Sequence, residues 1–249
     1  MSPTTLIRPP LAAIAFLTRI PVGRLVAIDA TDISRGAWLF PLVGGAVGAA
    51  VGFVAQALVS ELPDLVVGAL AVGLAALVTG AMHLDALADT ADALGGTSRD
   101  RALEIMRDHA VGAYGAIALC LVCVVDASAI GALASRDEAV FACLAAGAVG
   151  RAAILPLARA LPYARAGIGQ GRALERMGWV RVVAGIALAV GLTLPGGRPG
   201  LAALCAAVLV SCVLLLCFRA WLGGVTGDAL GATAKLCETS ALVVFLVAL

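Results

Sequence analysis

Seven apolar runs of about 16–24 residues, at 37–59, 65–82, 111–134, 139–161, 179–194, 201–222 and 230–249, set the terms on which this chain can fold. A helix of about 20 residues crosses the ~30 Å hydrocarbon core of a bilayer, and only there does so much apolar sequence find a matching solvent. The expected fold is therefore an all-α, polytopic integral membrane protein with about seven transmembrane helices. Charged residues make up 13% of the chain, and its mean hydropathy is +1.05. A soluble domain carries about 25% charge, so a purely soluble reading is excluded. The runs use up the 249 residues, and 1–249 reads as a single domain with no soluble appendage.

The N-terminal run 11–17 is too short to span and is closed by Thr18-Arg19-Ile20-Pro21. It reads as an interfacial or re-entrant helix that stops at Pro21. The seven cysteines lie mostly within apolar runs and give no disulfide framework. The arginines are dispersed, there is one lysine and 4% of residues are aromatic, which argues against a nucleic-acid partner. The connections alternate between Arg-rich and Arg-poor, and fourteen of the seventeen basic residues fall on one set. The positive-inside rule puts that set, and the N-terminus, in the cytoplasm.

Every unusual polar stretch belongs to this basic side. Residues 79–96, TGAMHLDALADTADALGG, carry Asp85, Asp89 and Asp92 with no basic residue to neutralise them. Their spacing i, i+4, i+7 places all three within roughly 60° of one helical face. Like charges at that spacing repel, and a divalent cation reverses the sign. Hard oxygen donors without thiols suit Mg2+ or Mn2+. An acidic helix end facing water is the plain structural alternative.

Residues 95–115, GGTSRDRALEIMRDHAVGAYG, follow directly. Gly95 and Gly96 end the acidic helix, and Ser98 or Asp100 can cap the next. Arg99, Arg101 and Arg107 supply guanidiniums for phosphate oxygens, and Glu104 and Asp108 are further carboxylates for a cation. Surface ion pairing among them explains the same residues equally well. His109 can serve as a base, a cap or a surface group. Near the C-terminus, Asp228, Lys235 and Glu238 lie at i, i+7, i+10, within roughly 80° of one face. Lys235 and Glu238 form the expected structural pair, and Asp228, with no other basic neighbour at helical spacing, is the better metal or substrate contact. Arg151, in the middle of an apolar run, has to face the bundle interior and meet a phosphate or a carboxylate. The Gly- and Arg-rich loop 161–176 reads first as a topology determinant and second as a flexible cover for an anionic substrate.

FLTRIPV, LFPLVGGAVG, HLDALADTADALGG, ALEIMRDHAVGAYGAIAL and GGVTGDALGA, in this order across most of the chain, resemble the cobalamin synthase (adenosylcobinamide-GDP ribazoletransferase) family. The family's acidic motif more often has Gly where this chain has Ala86 and Ala93, and every carboxylate is in place. The resemblance implies a Mg2+-dependent enzyme of the bacterial inner membrane, with its active site facing the cytoplasm. It implies that a hydroxyl of alpha-ribazole, or of its 5′-phosphate, attacks the cobinamide-bearing phosphate of adenosylcobinamide-GDP, and GMP leaves. On that reading Asp85 and Asp89, with Asp228, hold Mg2+. Asp92 accepts the hydroxyl proton, with His109 as second candidate, and Arg99, Arg101 and Arg107 bind phosphate. Arg151 and Lys235 complete the substrate contacts, and Asp92, Glu104, Asp108 and Glu238 complete the set of candidate metal carboxylates. A CDP-alcohol phosphotransferase shares the chemistry, but Ala88-Asp89 stands where its motif has Ala-Arg. An ion-coupled transporter would use similar aspartates, although the two halves of the chain show no repeat. The residues leave open whether the active form is a homo-oligomer.

Overall fold

The computed structural model describes residues 3–24, 26–108, 110–165 and 170–249. Among the described residues the chain forms α1 (Pro3–Leu17), α2 (Ala30–Gly36), α3 (Phe40–Leu58), α4 (Asp64–Thr79), α5 (Met82–Asp92), α6 (Arg99–Ile105), α7 (Ala113–Ala134), α8 (Ala139–Ala160), α9 (Trp179–Thr193), α10 (Gly197–Trp221) and α11 (Gly227–Ala248). One isolated β-bridge joins Tyr163 to Val225. Each expected apolar run is helical, with its bounds shifted by a few residues.

Five stretches of the described chain are long and apolar enough to cross a membrane, or six if the bent pair α4 and α5 is one broken span, against the about seven expected. One of the five, residues 179–221, contains both α9 and α10. Both of its ends meet the same end of α8. Arg159 of α8 lies 5.2 Å over the Trp179 ring, and Val225 N, just past α10, donates to Pro162 O at 2.9 Å. The stretch therefore folds back on itself after α9, through the turn Leu194–Gly196 and Gly197, whose φ of 62° is left-handed.

The core is α8, buried along most of its length between α3, α9, α10 and α11. Gly44, Gly48 and Gly52 let α3 lie directly on it: a Cβ at Gly44, Gly48 or Gly52 would fall on the carbonyl oxygen of Gly147, Cys143 or Ala139. Backbone contact of this kind is what small-xxx-small stripes permit in lipid, where packing rather than water drives helix association. We expect Gly48→Leu to lower the unfolding temperature of the purified protein by at least ~5 °C, since overpacking costs about 1–3 kcal/mol and two backbones cannot relax apart locally. Gly73→Leu, where an added Cβ meets nothing within 4 Å, is the matched control. Equal stability of the two variants in a thermal scan would refute the close approach.

The acidic helix does not continue α4. Gly80 and Ala81 both take left-handed backbone, at φ 66° and 56°, and the axes of α4 and α5 meet at 94°. Ala81 N closes the end of α4 by donating to Ala76 O at 2.7 Å, and Arg19, following α1, lies over Gly80 with its own N–H on Val78 O. Left-handed backbone costs a non-glycine residue about 1–2 kcal/mol, so the bend at Ala81 is held by its surroundings.

The Arg-rich segments gather at one end of the bundle. Arg8 pairs with Asp32 at 2.9 Å, and Arg99 donates to Leu222 O at 2.7 Å and to Ala164 O at 3.0 Å. At the opposite end Gln56 donates to Asp137 at 2.6 Å and Ser135 to Asp64 at 2.7 Å. The alternation of basic connections is thus a physical two-ended arrangement.

Candidate active site

The bend after α4 turns α5 across the Arg-rich end, toward the start of α11. Thr226 caps α11 by accepting from Ala229 N at 3.1 Å, which leaves Asp228 in the first turn. Gly231 brings α11 against α5, because a Cβ there would meet the Ala86 methyl. Asp89 consequently lies within electrostatic reach of Asp228, Asp85 and Asp92, with Arg165 opposing them. Asp228 forms an ion pair with Arg165 at 2.7 Å. That corrects the expectation that Lys235 is its basic neighbour: the cation comes from the loop after α8. Asp85 is exposed, and its carboxylate has no hydrogen bond or ion pair among the described residues. It borders a cavity of about 260 Å³ with Asp228, Arg165 and His83.

Asp92 is engaged differently. Its two carboxylate oxygens accept from Gly112 N and Gly115 N, each at 2.8 Å, and so tie the end of α5 to the N-terminus of α7. The position suits an anion at the positive end of a helix dipole. Both partners are glycine because a Cβ at either would strike the carboxylate.

The other expected site residues are divided between two places. Ser98, not Asp100, caps α6, accepting from Arg101 N at 3.2 Å. Arg101 pairs with Glu104 at 2.7 Å on the surface, and Arg107 and Asp108 are exposed beside them. Arg99 is spent on the two backbone carbonyls already named and on Asp100, 3.4 Å away. His109 lies outside the described residues. Arg151, Lys235 and Glu238 are instead inside the bundle. Arg151 pairs with Glu238, and Lys235 bridges Glu238 at 2.8 Å and Asp126 of α7 at 2.5 Å. A small cavity of about 50 Å³ lies against this network, and His83 borders both it and the larger cavity.

Three participants escaped the sequence reading. Asp126 carried a usable signal, a carboxylate in the middle of an apolar run. Arg165 was visible only as one arginine of a basic loop. His83, 4% exposed with neither ring nitrogen hydrogen-bonded among the described residues, sits beside the acidic residues in sequence without any periodic cue.

The carboxylates and the absence of thiols among them suit a hard cation. Among the described residues no group of three or more His, Cys, Asp or Glu side chains is placed to hold a metal ion on its own. Mg2+ ordinarily takes one or two protein carboxylates plus substrate phosphates, and Asp89 with Asp228 meets that requirement.

Fold and site together define a polytopic helical membrane protein with a carboxylate and guanidinium site at one end of its bundle. A family model described as cobalamin-5-phosphate synthase matches residues 9–246. Proteins named adenosylcobinamide-GDP ribazoletransferase from Brucella ovis, Brucella canis and Brucella melitensis are 37% identical to this chain over 252 aligned residues, covering 95% of this chain and 95% of each relative. The chain belongs to the cobalamin-5-phosphate synthase family. No solved structure matches it.

Proposed function

We propose that this chain is an adenosylcobinamide-GDP ribazoletransferase of the bacterial inner membrane, acting at its cytoplasmic face. The hydroxyl oxygen of alpha-ribazole, or of its 5′-phosphate, forms a new bond to the cobinamide-bearing phosphorus. The bond from that phosphorus to the bridging oxygen of the diphosphate breaks, and GMP leaves with the electron pair. The observation that carries the reading is the convergence of Asp85 and Asp89 from α5 with Asp228 from α11, beside Arg165.

Asp89 and Asp228 would hold Mg2+, which supplies positive charge to the diphosphate and its leaving group. Arg165 is placed to give up part of its pairing with Asp228 to a phosphate oxygen, since guanidinium forks serve both anions. Asp85, exposed and with no partner for its carboxylate among the described residues, replaces Asp92 as the proposed acceptor of the hydroxyl proton. Asp92 anchors α5 on α7 and so fixes the direction in which Asp85 and Asp89 point. Arg101 and Arg107, on the exposed helix, would attract anionic substrates to this end of the bundle.

The test is GMP release by detergent-solubilised protein given adenosylcobinamide-GDP and alpha-ribazole, with and without EDTA. The expected result is GMP formed in step with the cobalamin product, lost with EDTA and regained with Mg2+. Turnover unaffected by EDTA would remove the metal from the reading, and absence of GMP would remove the reaction. For orientation, a single cysteine at position 99 in a cysteine-free protein should resist an impermeant reagent added to intact cells. Labelling from outside would reverse the topology.

A further inference from the structure

α9 and α10 each pack on α8, and between them lies an open groove of about 280 Å³. Its floor is small and buried, formed by Ala152, Ala153, Ala189 and Ala207, while Ile186, Val208 and Cys212 stand exposed along its rims. Apart from Ser211 and Cys212, every described residue lining it is Ala, Val, Leu, Ile or Pro. The Ser211 hydroxyl lies 3.5 Å from Cys237 Sγ, and a free thiol behaves as a small hydrophobe. From Leu204 to Leu215 the α10 wall covers about 16 Å at 1.5 Å per residue, close to half of the ~30 Å hydrocarbon core. Leu215 lies less than two turns before the Arg-rich end of α10 at Trp221. The groove therefore follows the course of one lipid chain, from just inside that face to about mid-membrane.

The end of the groove is basic and aromatic. Arg159 shares a face of α8 with Ala152 and Pro156, at i+7 and i+3, and Arg219 shares a face of α10 with Val208, Cys212 and Leu215, at i+11, i+7 and i+4. Each stands about one turn beyond the groove, at the level where a headgroup would sit. The Arg159 guanidinium lies 5.2 Å over the ring of Trp179, which shares the face of Ile186 on α9. Stacking uses the flat side of a guanidinium and leaves its N–H edge for an anion. Among the described residues neither Arg159 nor Arg219 has an ion pair. The sequence has no acidic residue between Glu175 and Asp228, so α9 and α10 supply no carboxylate to either.

We propose that this groove binds an anionic phospholipid of the leaflet at the Arg-rich end, with one acyl chain between α9 and α10 and the phosphate held by Arg159 and Arg219. Guanidiniums take phosphate oxygens through paired N–H bonds, and basic pockets between membrane helices favour anionic headgroups. The acyl chain supplies the dispersion contacts that α9 and α10 do not make with each other along this line. Charge favours lipid over a second copy of the chain, because a two-fold contact through this face would bring the same uncompensated arginines together. The assignment depends on the membrane setting and not on the reaction.

The test uses the full chain in vesicles of about 9:1 phosphatidylcholine to phosphatidylglycerol, in which one lipid or the other carries a photoactivatable group midway along an acyl chain. Labelled peptides are mapped by mass spectrometry. At equal probe fraction, phosphatidylglycerol is expected to label residues 186–190 and 204–215 at least ~5-fold more than phosphatidylcholine. The double variant Arg159→Gln with Arg219→Gln should bring the two lipids within ~2-fold of each other, because the charge that selects between them is gone. Ala189→Phe, which fills the floor, should cut labelling by both at least ~5-fold; should it not fold, Val208→Trp closes the groove from its exposed rim. In detergent, added phosphatidylglycerol should raise the unfolding temperature of the wild type by at least ~3 °C and that of the double arginine variant by less than ~1 °C. Equal labelling of the wild type by the two lipids would overturn the headgroup assignment. Protein–protein cross-links at these residues in place of lipid labels would give the groove to a second copy. Stabilisation reproduced by glycerol phosphate, which has no acyl chain, would remove the groove from the site.

Discussion

Asp89→Asn is expected to slow GMP release by at least about a hundredfold while leaving the protein as stable as wild type or more so. The two effects have opposite signs because Asp89 faces Asp228, Asp85 and Asp92, with Arg165 opposing them. Neutralising one carboxylate relieves repulsion that the resting protein has to tolerate. The same change removes a charge that would hold Mg2+ against the diphosphate, and electrostatic stabilisation of this kind is typically worth about 2.7–4 kcal/mol per group. The check is a paired measurement on one preparation: thermal unfolding in detergent and single-turnover GMP release across a Mg2+ titration. Near-normal turnover at limiting Mg2+ would show that the acidic helix is not the metal site. A destabilised protein would show instead that Asp89 has a structural partner.

The largest effect on stability is expected at Lys235. In Lys235→Met the carboxylate of Asp126, 1% exposed, loses its ion-pair partner in the middle of the bundle. Removing one member of a buried pair leaves an uncompensated charge and costs about 3–5 kcal/mol, enough to lower the unfolding temperature by roughly 10 °C or to prevent accumulation. Glu238 is affected less, because Arg151 still pairs with it. The double variant Lys235→Met with Asp126→Leu should recover most of the loss, since replacing a whole buried pair by apolar side chains is often neutral. Recovery of GMP release along with stability would show that Lys235 holds the bundle rather than the substrate. Stable protein that remains inactive would place Lys235 at the substrate after all.

Asp89 and Lys235 are each a charged residue on a helix that the sequence assigns to the Arg-rich side. Helical periodicity places side chains on a face but says nothing about which other element that face meets. Asp228 illustrates the point. Its spacing to Lys235 is local and could be counted, whereas Arg165, the cation it actually meets, comes from a loop brought over by the Tyr163–Val225 bridge and Ala164 N donating to Val225 O. Asp92 is the converse case. It shares the face of Asp85 and Asp89, but the N-terminus of α7 presents two backbone N–H groups to it.

The sequence by itself determined the helical class, the placement of the apolar runs, the close approach permitted by Gly44, Gly48 and Gly52, and the segregation of basic connections to one end. These depend on length, composition and small-residue spacing, which are properties of a segment in its solvent. Tertiary structure alone decided the bend of α5 at Gly80 and Ala81, the pairing of Asp228 with Arg165, and the enclosure of Arg151, Lys235 and Glu238 with Asp126. It also decided that His83 is buried at the border of two cavities. A buried charge takes whatever partner the packing brings within reach, and in a bundle that partner arrives from a distant part of the chain.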